Sequence, residues 1–222
     1  MKIRVRFSKQ GMMKFIGHLD MVRYFQKVHR RANVDVVYSE GFSPHQKMSF
    51  ASPLSVGLLS RGEYYDLEVA SSDSTKEMLQ KINAQNVEGI EVLSYKLLPD
   101  TAKNCMSIVA AADYLVHIPF SEEQLQEYMN QKEILVLKKT KKSEKMVDIR
   151  PMIYELKAEA DGVFMKVAQG SAANLKPDLV MKSFYEFCGK EMPGNLLYER
   201  LDMYCLDGER LVSLDNIGQD IA

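Results

Sequence analysis

The chain has 222 residues, 46% hydrophobic and 27% charged, an ordinary globular composition that provides for two domains of about 100 residues, each with its own core. Its net charge of -1 conceals an asymmetry: residues 1–50 carry ten Lys or Arg against three acids, a balance of +7, and the remaining 172 residues carry -8. Three widely separated cysteines, Cys105, Cys188 and Cys205, exclude a disulfide framework and a Cys-x-x-Cys metal knuckle. No run approaches the roughly 18 apolar residues of a membrane helix, so a soluble, cytoplasmic protein is expected.

Lys2 to Ser8 alternates basic and apolar residues, which predicts a strand with Ile3, Val5 and Phe7 inward and Lys2, Arg4 and Arg6 on the opposite face. Leu19, Val22, Phe25 and Val28 recur every third residue and predict an amphipathic helix from about His18 to Arg31. Strands are expected at Val34–Tyr38, within Lys47–Gly57 and at Glu63–Ala70. A helix capped by Asp73 or Ser74 and a strand at Gly89–Leu97 follow. The order is that of a ferredoxin-like βαββαβ sandwich, helices on one face of an antiparallel sheet and the other face free.

Polar Pro99–Ser107 marks a junction, after which the order begins again. Ala111–Ile118 reads as a strand, Ser121 caps a helix with Gln124 completing a capping box, and Glu133–Lys139 reads as a strand. The lysines from Lys138 to Lys145 suggest an exposed hairpin turn. Val147–Leu156 and Gly162–Ala168 read as strands joined at Asp161-Gly162, a helix starts at Pro177, and Leu197–Leu206 is a last strand. The expected architecture is α+β, two tandem ferredoxin-like (βαββαβ-type) domains with antiparallel sheets at 1–98 and 107–215, and a frayed tail at 216–222.

Residue types suited to chemistry collect between Phe15 and Phe50. His18 and Asp20 begin the first helix, where free backbone amides receive an anion or a capping carboxylate. His45 lies in a Gly/Pro-bounded loop beside Lys47, the arrangement of an acid–base group with a charge stabiliser, although a lone loop histidine is more often a hydrogen-bonded turn element. His18, Asp20 and His45 are the catalytic candidates. Arg4, Arg6, Arg23, Lys27, Arg30, Arg31, His45 and Lys47 are the candidates for binding RNA or another anion, with Phe42 and Tyr24 as exposed stacking surfaces. His29 reads as a helix-surface residue and His117 as structural. No nucleotide-binding glycine loop and no ligand-spaced His or Cys pair occurs, so neither cofactor nor metal is expected.

The segments Phe15-Ile16-Gly17-His18-Leu19-Asp20, Arg23, Arg30-Arg31-Ala32 and Tyr38-Ser39-Glu40-Gly41-Phe42-Ser43-Pro44-His45 resemble the radical SAM-linked protein family. The likeness continues through Lys47-Met48-Ser49-Phe50, Pro53-Leu54, Gly57 and Glu63-Tyr64-Tyr65-Asp66. That family is a domain of unknown function fused to, or encoded beside, cobalamin-binding radical SAM proteins. The resemblance implies an accessory protein serving an RNA or ribosome-linked target. The chain is not itself a radical SAM enzyme, because its three cysteines cannot form the Cys-x-x-x-Cys-x-x-Cys cluster loop.

The expected function is a radical SAM-associated, non-catalytic adaptor whose partners are RNA and a radical SAM protein, without DNA specificity or a membrane partner. The alternatives are an RNA-processing or RNA-modifying enzyme using His18 or His45, and a module that only docks a radical SAM enzyme.

Overall fold

The computed structural model describes residues 1–139 and 144–222. It shows a large, mostly antiparallel sheet with a few helices. The chain divides into two compact units, Met1–Val109 with Asp202–Ala222, and Ala110–Leu201.

The first unit contains β1 (Lys2–Lys9), α1 (His18–Arg31), β2 (Met48–Phe50), β3 (Leu59–Glu68), α2 (Thr75–Asn83), β4 (Ile90–Leu97) and the short α3 (Cys105–Ile108). β1 lies antiparallel between β4 and β3, with Val5 opposite Tyr95 and Tyr65, and β2 pairs with β3 through Ser49 and Asp66. Their order is therefore β4-β1-β3-β2. Alternation places Ile3, Val5 and Phe7 against Phe25 and Val28 of α1, with the Phe7 and Phe25 rings edge to face at 4.7 Å. Each such fully buried side chain contributes about 1.5–3 kcal/mol of hydrophobic stabilisation.

Helix α1 has the predicted bounds but buries a different stripe. Met21, Phe25, Val28 and His29 are inside, while Leu19 is exposed. A three-residue repeat lags the helical period by about 60° per step, so the Leu19–Val22–Phe25–Val28 row drifts off the core, and spacings of four and three hold it. This is why His29, four residues after Phe25, is a core residue and not a surface one. A complete capping box forms at Ser74 with Glu77, on α2. The expected strand at Val34–Tyr38 reduces to two isolated bridges, Val36 to Val69 and Tyr38 to Gln46.

The sheet face opposite the helices is covered, not free. The junction segment lies over it: Lys103 O accepts from Arg4, and the Cys105 amide donates to Asp66 at 2.7 Å. Returning residues cover it further along. Asp202 accepts from the Tyr64 and Ser213 hydroxyls, and Asp215 accepts from Ser94 and pairs with Arg6. These bonds explain why the chain from Asp202 onward belongs with the first unit, whereas the sequence suggests a second domain continuing to residue 215. The tail at 216–222 is paired as well: Gln219 and Leu97 exchange backbone hydrogen bonds, and Thr75 N donates to Ile221 O while Ile221 N donates to Thr75 Oγ1.

The second unit holds β5 (Val109–Val116, from Ala110 onward), α4 (Glu122–Met129), β6 (Leu135–Lys139), β7 (Glu144–Asp148), β8 (Ile153–Glu159), β9 (Gly162–Ala168), α5 (Pro177–Phe187) and β10 (Tyr198–Asp207) up to Leu201. β9 runs antiparallel to both β5 and β8, while β6 and β7 form a separate two-stranded ribbon. Of the expected lysine-rich turn, residues 140–143 lie outside the described residues. Ser121 caps α4 by accepting from the Gln124 amide. Phe184 of α5 packs edge to face against Phe120 and Tyr128. Gly162, at the predicted turn, has φ +147°, and a Cβ there would stand 2.0 Å from Val116 O, so the position requires glycine. In the first unit, β10 continues from Asp202 and pairs with β11 (Arg210–Ser213).

Candidate functional site

The stretch from Lys9 to Phe50 is fixed to the first unit from beneath. Lys9 is buried, and its ammonium donates to Ile16 O at 2.7 Å and to Lys14 O at 3.4 Å, setting the approach to α1. Gly17 is the N-cap and supplies no side-chain cap. Asp20 does not take that role: it lies in the first turn and pairs with Arg23 at 3.3 Å. Arg23, Lys27 and Arg30 stand at i, i+4 and i+7, so they share one solvent-facing stripe, and all three are exposed. Lys27 and Arg30 have no ion-pair partner among the described residues. Arg31 lies off this stripe and donates to Gln85 O.

The loop after α1 is a closed turn. Ser39 N donates to His45 O at 2.8 Å, His45 N donates to Ser39 Oγ at 3.1 Å, and Ser39 Oγ lies 2.8 Å from His45 Nδ1. Gly41, at φ +103°, takes the bend. Gln46, buried immediately beyond, ties the loop to α1. Its amide nitrogen donates to Gln26 O and to the Tyr38 hydroxyl, which turns its carbonyl oxygen toward His29 Nδ1 at 3.0 Å. Because that oxygen can only accept, His29 carries its proton on Nδ1, and Nε2 accepts from the Tyr65 hydroxyl at 2.9 Å. Burial lowers the His29 pKa to about 4 despite the bond to Gln46, so the ring is neutral at physiological pH. Burial likewise holds the Tyr65 hydroxyl well above its ordinary value, which keeps its proton available.

The expected site residues separate into three groups. Arg23, Lys27, Arg30, Arg31, His45 and Lys47 are exposed, with Lys47 3.4 Å from Glu68. Arg4 is not on the surface: it is 2% exposed and forks onto Asp66, Nε to Oδ1 at 2.8 Å and Nη2 to Oδ2 at 3.0 Å. Arg6 is half-buried, donates to Arg61 O and lies 5.9 Å from the Tyr64 ring. The three catalytic candidates are engaged separately. His18 meets the Phe50 ring edge to face at 5.3 Å, Asp20 meets Arg23, and His45 meets Ser39. No hydrogen bond or ion pair joins them to one another among the described residues.

Phe42 is fully exposed, as the sequence suggests, whereas Tyr24 is spent in packing, its hydroxyl bonding Asn86 and accepting from Val87 N. His117 lies 3.5 Å from the buried Glu199 carboxylate, in keeping with a structural role. Sequence reasoning missed Gln46 and His29 as the loop's anchor; the spacing of His29 from Phe25 signals its burial but not its partners. A cleft of about 390 Å³ elsewhere in the unit is lined by Lys2, Lys47, Asp66 and Glu68 among others. Its charges cancel, and Asp66 and Lys47 are already paired, so it selects no anion.

Among the described residues no group of three or more His, Cys, Asp or Glu is placed to hold a metal ion, and no helix is long and apolar enough to cross a membrane. A comparison with curated proteins finds no match. The model of a family described as an uncharacterized protein conserved in bacteria, DUF2344, matches residues 2–177, and the chain belongs to that family.

Proposed function

We propose that this protein is a non-catalytic adaptor that binds RNA, or a ribosome- or RNA-linked partner, through the outer face of α1 and the adjoining Ser39–His45 loop. The observation carrying this reading is the exposed stripe Arg23, Lys27 and Arg30, opposed on its own helix by Asp20 alone. A row of cations on a rigid helix tracks phosphates and gains affinity by releasing counterions. Replacing all three with alanine lowers the slope of log affinity against log salt by about 2 for a single strand, at roughly 0.7 per lost phosphate contact. Titration of a labelled RNA at several salt concentrations measures this, and an unchanged slope, or no binding at low salt, defeats the reading.

We further infer that each unit is a ferredoxin-like sandwich. The β4-β1-β3-β2 order of the first unit supports this, as does β9 between β5 and β8 in the second. The free cysteines support a reducing, cytoplasmic setting. The resemblance to radical SAM-linked proteins supports a radical SAM protein as a second partner. A protein contact is favoured by the exposed apolar side chains Met12, Phe15 and Leu19, clustered in sequence just before and at the start of α1. Co-purification of such a protein after ribonuclease treatment tests that contact, and its loss on treatment places RNA between the two.

A further inference from the structure

We propose that Phe42 is a stacking platform for an unpaired RNA base, the loop presenting the ring while the α1 stripe holds the backbone; this rests on the RNA-binding reading and adds to it the form of the RNA. Phe42 has a relative exposure of 110%, so its ring touches nothing in the fold and contributes nothing to the core. Other large exposed apolar residues of the first unit remain partly covered, Met12 at 77% and Leu19 at 69%. A bare phenylalanine on a floppy loop would lose much of any binding gain to ordering. This loop is already ordered. Ser39 and His45 close it with three contacts, and Gln46 fastens its foot to Gln26 and His29 of α1.

The occupant follows from the surroundings. α1, to which the loop is fastened through Gln46, carries the exposed cations Arg23, Lys27 and Arg30 on its outer face. Glu40 is the loop's one acid. An anionic polymer with planar faces matches both features, and base–aromatic stacking accepts any base because every base offers a π face. A duplex keeps its bases stacked inside and gives the ring nothing to meet, so the ligand is single-stranded. His45 Nε2, which makes no hydrogen bond among the described residues, is a second polar contact at the same loop.

The chain contains no tryptophan, so Phe42→Trp places a unique fluorophore at the loop tip. The variant is titrated with oligo(A) and with an abasic ribose-phosphate strand of equal length, and Phe42→Ala is compared with the wild type by anisotropy of labelled oligo(A). Stacking predicts quenching of the tryptophan by oligo(A) and none by the abasic strand. It also predicts a loss of about tenfold in affinity for oligo(A) on Phe42→Ala, with the salt slope unchanged. Equal binding by the wild type and Phe42→Ala, or a saturated complex with unquenched tryptophan, overturns the stacking role while leaving RNA binding in place. If the wild type binds neither strand at low salt, RNA binding itself fails and the stacking role with it.

Discussion

Replacing Asp66 with alanine lowers the stability of the first unit by about 3–5 kcal/mol, the usual cost of stranding a buried charge. Arg4 is 2% exposed, and two of its nitrogens are forked onto the Asp66 carboxylate. Burial opposes its charge, yet the hydrogen bond and the charge of Asp66 outweigh that and raise the Arg4 pKa. Among the described residues its Nη1 has no hydrogen-bond partner and its one further hydrogen bond is Nη2 to Lys103 O at 3.4 Å, too little to replace the carboxylate. Asp66 also accepts the Cys105 amide, so its loss releases the segment covering the sheet. Urea midpoints measure the stability. The local effect is read from Cys105, whose thiol is buried, donates to Ser49 O and has its pKa pushed up by burial and by Asp66. A thiol-specific reagent modifies Cys105 slowly in the wild type and quickly in Asp66→Ala. The double replacement Arg4→Met with Asp66→Leu recovers most of the stability, because it removes both charges together. A single-variant loss below about 1 kcal/mol would show the pair to be solvated and the argument wrong.

The same pair shows what the sequence can and cannot reveal. Period-two alternation places Ile3, Val5 and Phe7 correctly in the core, because pleating alone decides which face a side chain takes. It also puts Arg4 and Arg6 on the opposite face, as observed. Whether that face meets water is a matter of tertiary structure. It is closed by residues 103–105 and by Asp202 and Asp215, the latter more than a hundred positions away from Arg6 and Tyr64, and no local pattern announces their return. The α1 stripe was legible for the opposite reason: Arg23, Lys27 and Arg30 lie on the side the helix period turns away from Phe25 and Val28, so local geometry suffices. His29 sits between these cases. Its position on the inner face follows from its spacing, but its partners Gln46 and Tyr65 come from elsewhere in the chain. A lone histidine therefore carries no sign of being the loop's anchor.

That anchor makes stability depend on pH in a defined window. Folded His29 accepts a proton only near pH 4, held down by burial, whereas an unfolded chain takes one up near 6.5. Between these values the unfolded state binds more protons, so stability is fully present above about pH 6.5 and is lost progressively as the pH falls to about 4. The gap corresponds to roughly 3–4 kcal/mol, at about 1.4 kcal/mol for each pH unit. His29→Gln removes the titrating group and flattens the wild-type curve by that amount across the window. Both proteins keep their carboxylates, so acid effects common to the two cancel in the difference. Urea midpoints at several pH values between 4 and 7.5 measure it, and parallel curves would show that His29 does not govern the window. The consequence reaches the proposed binding surface. A charged His29 has no acceptor role left for the Tyr65 hydroxyl, which loosens the Gln46 contacts that hold the loop to α1. Protease cleavage within residues 39–45 therefore rises in acid before global unfolding, and the loop that carries Phe42 is the first part of the site to lose its form.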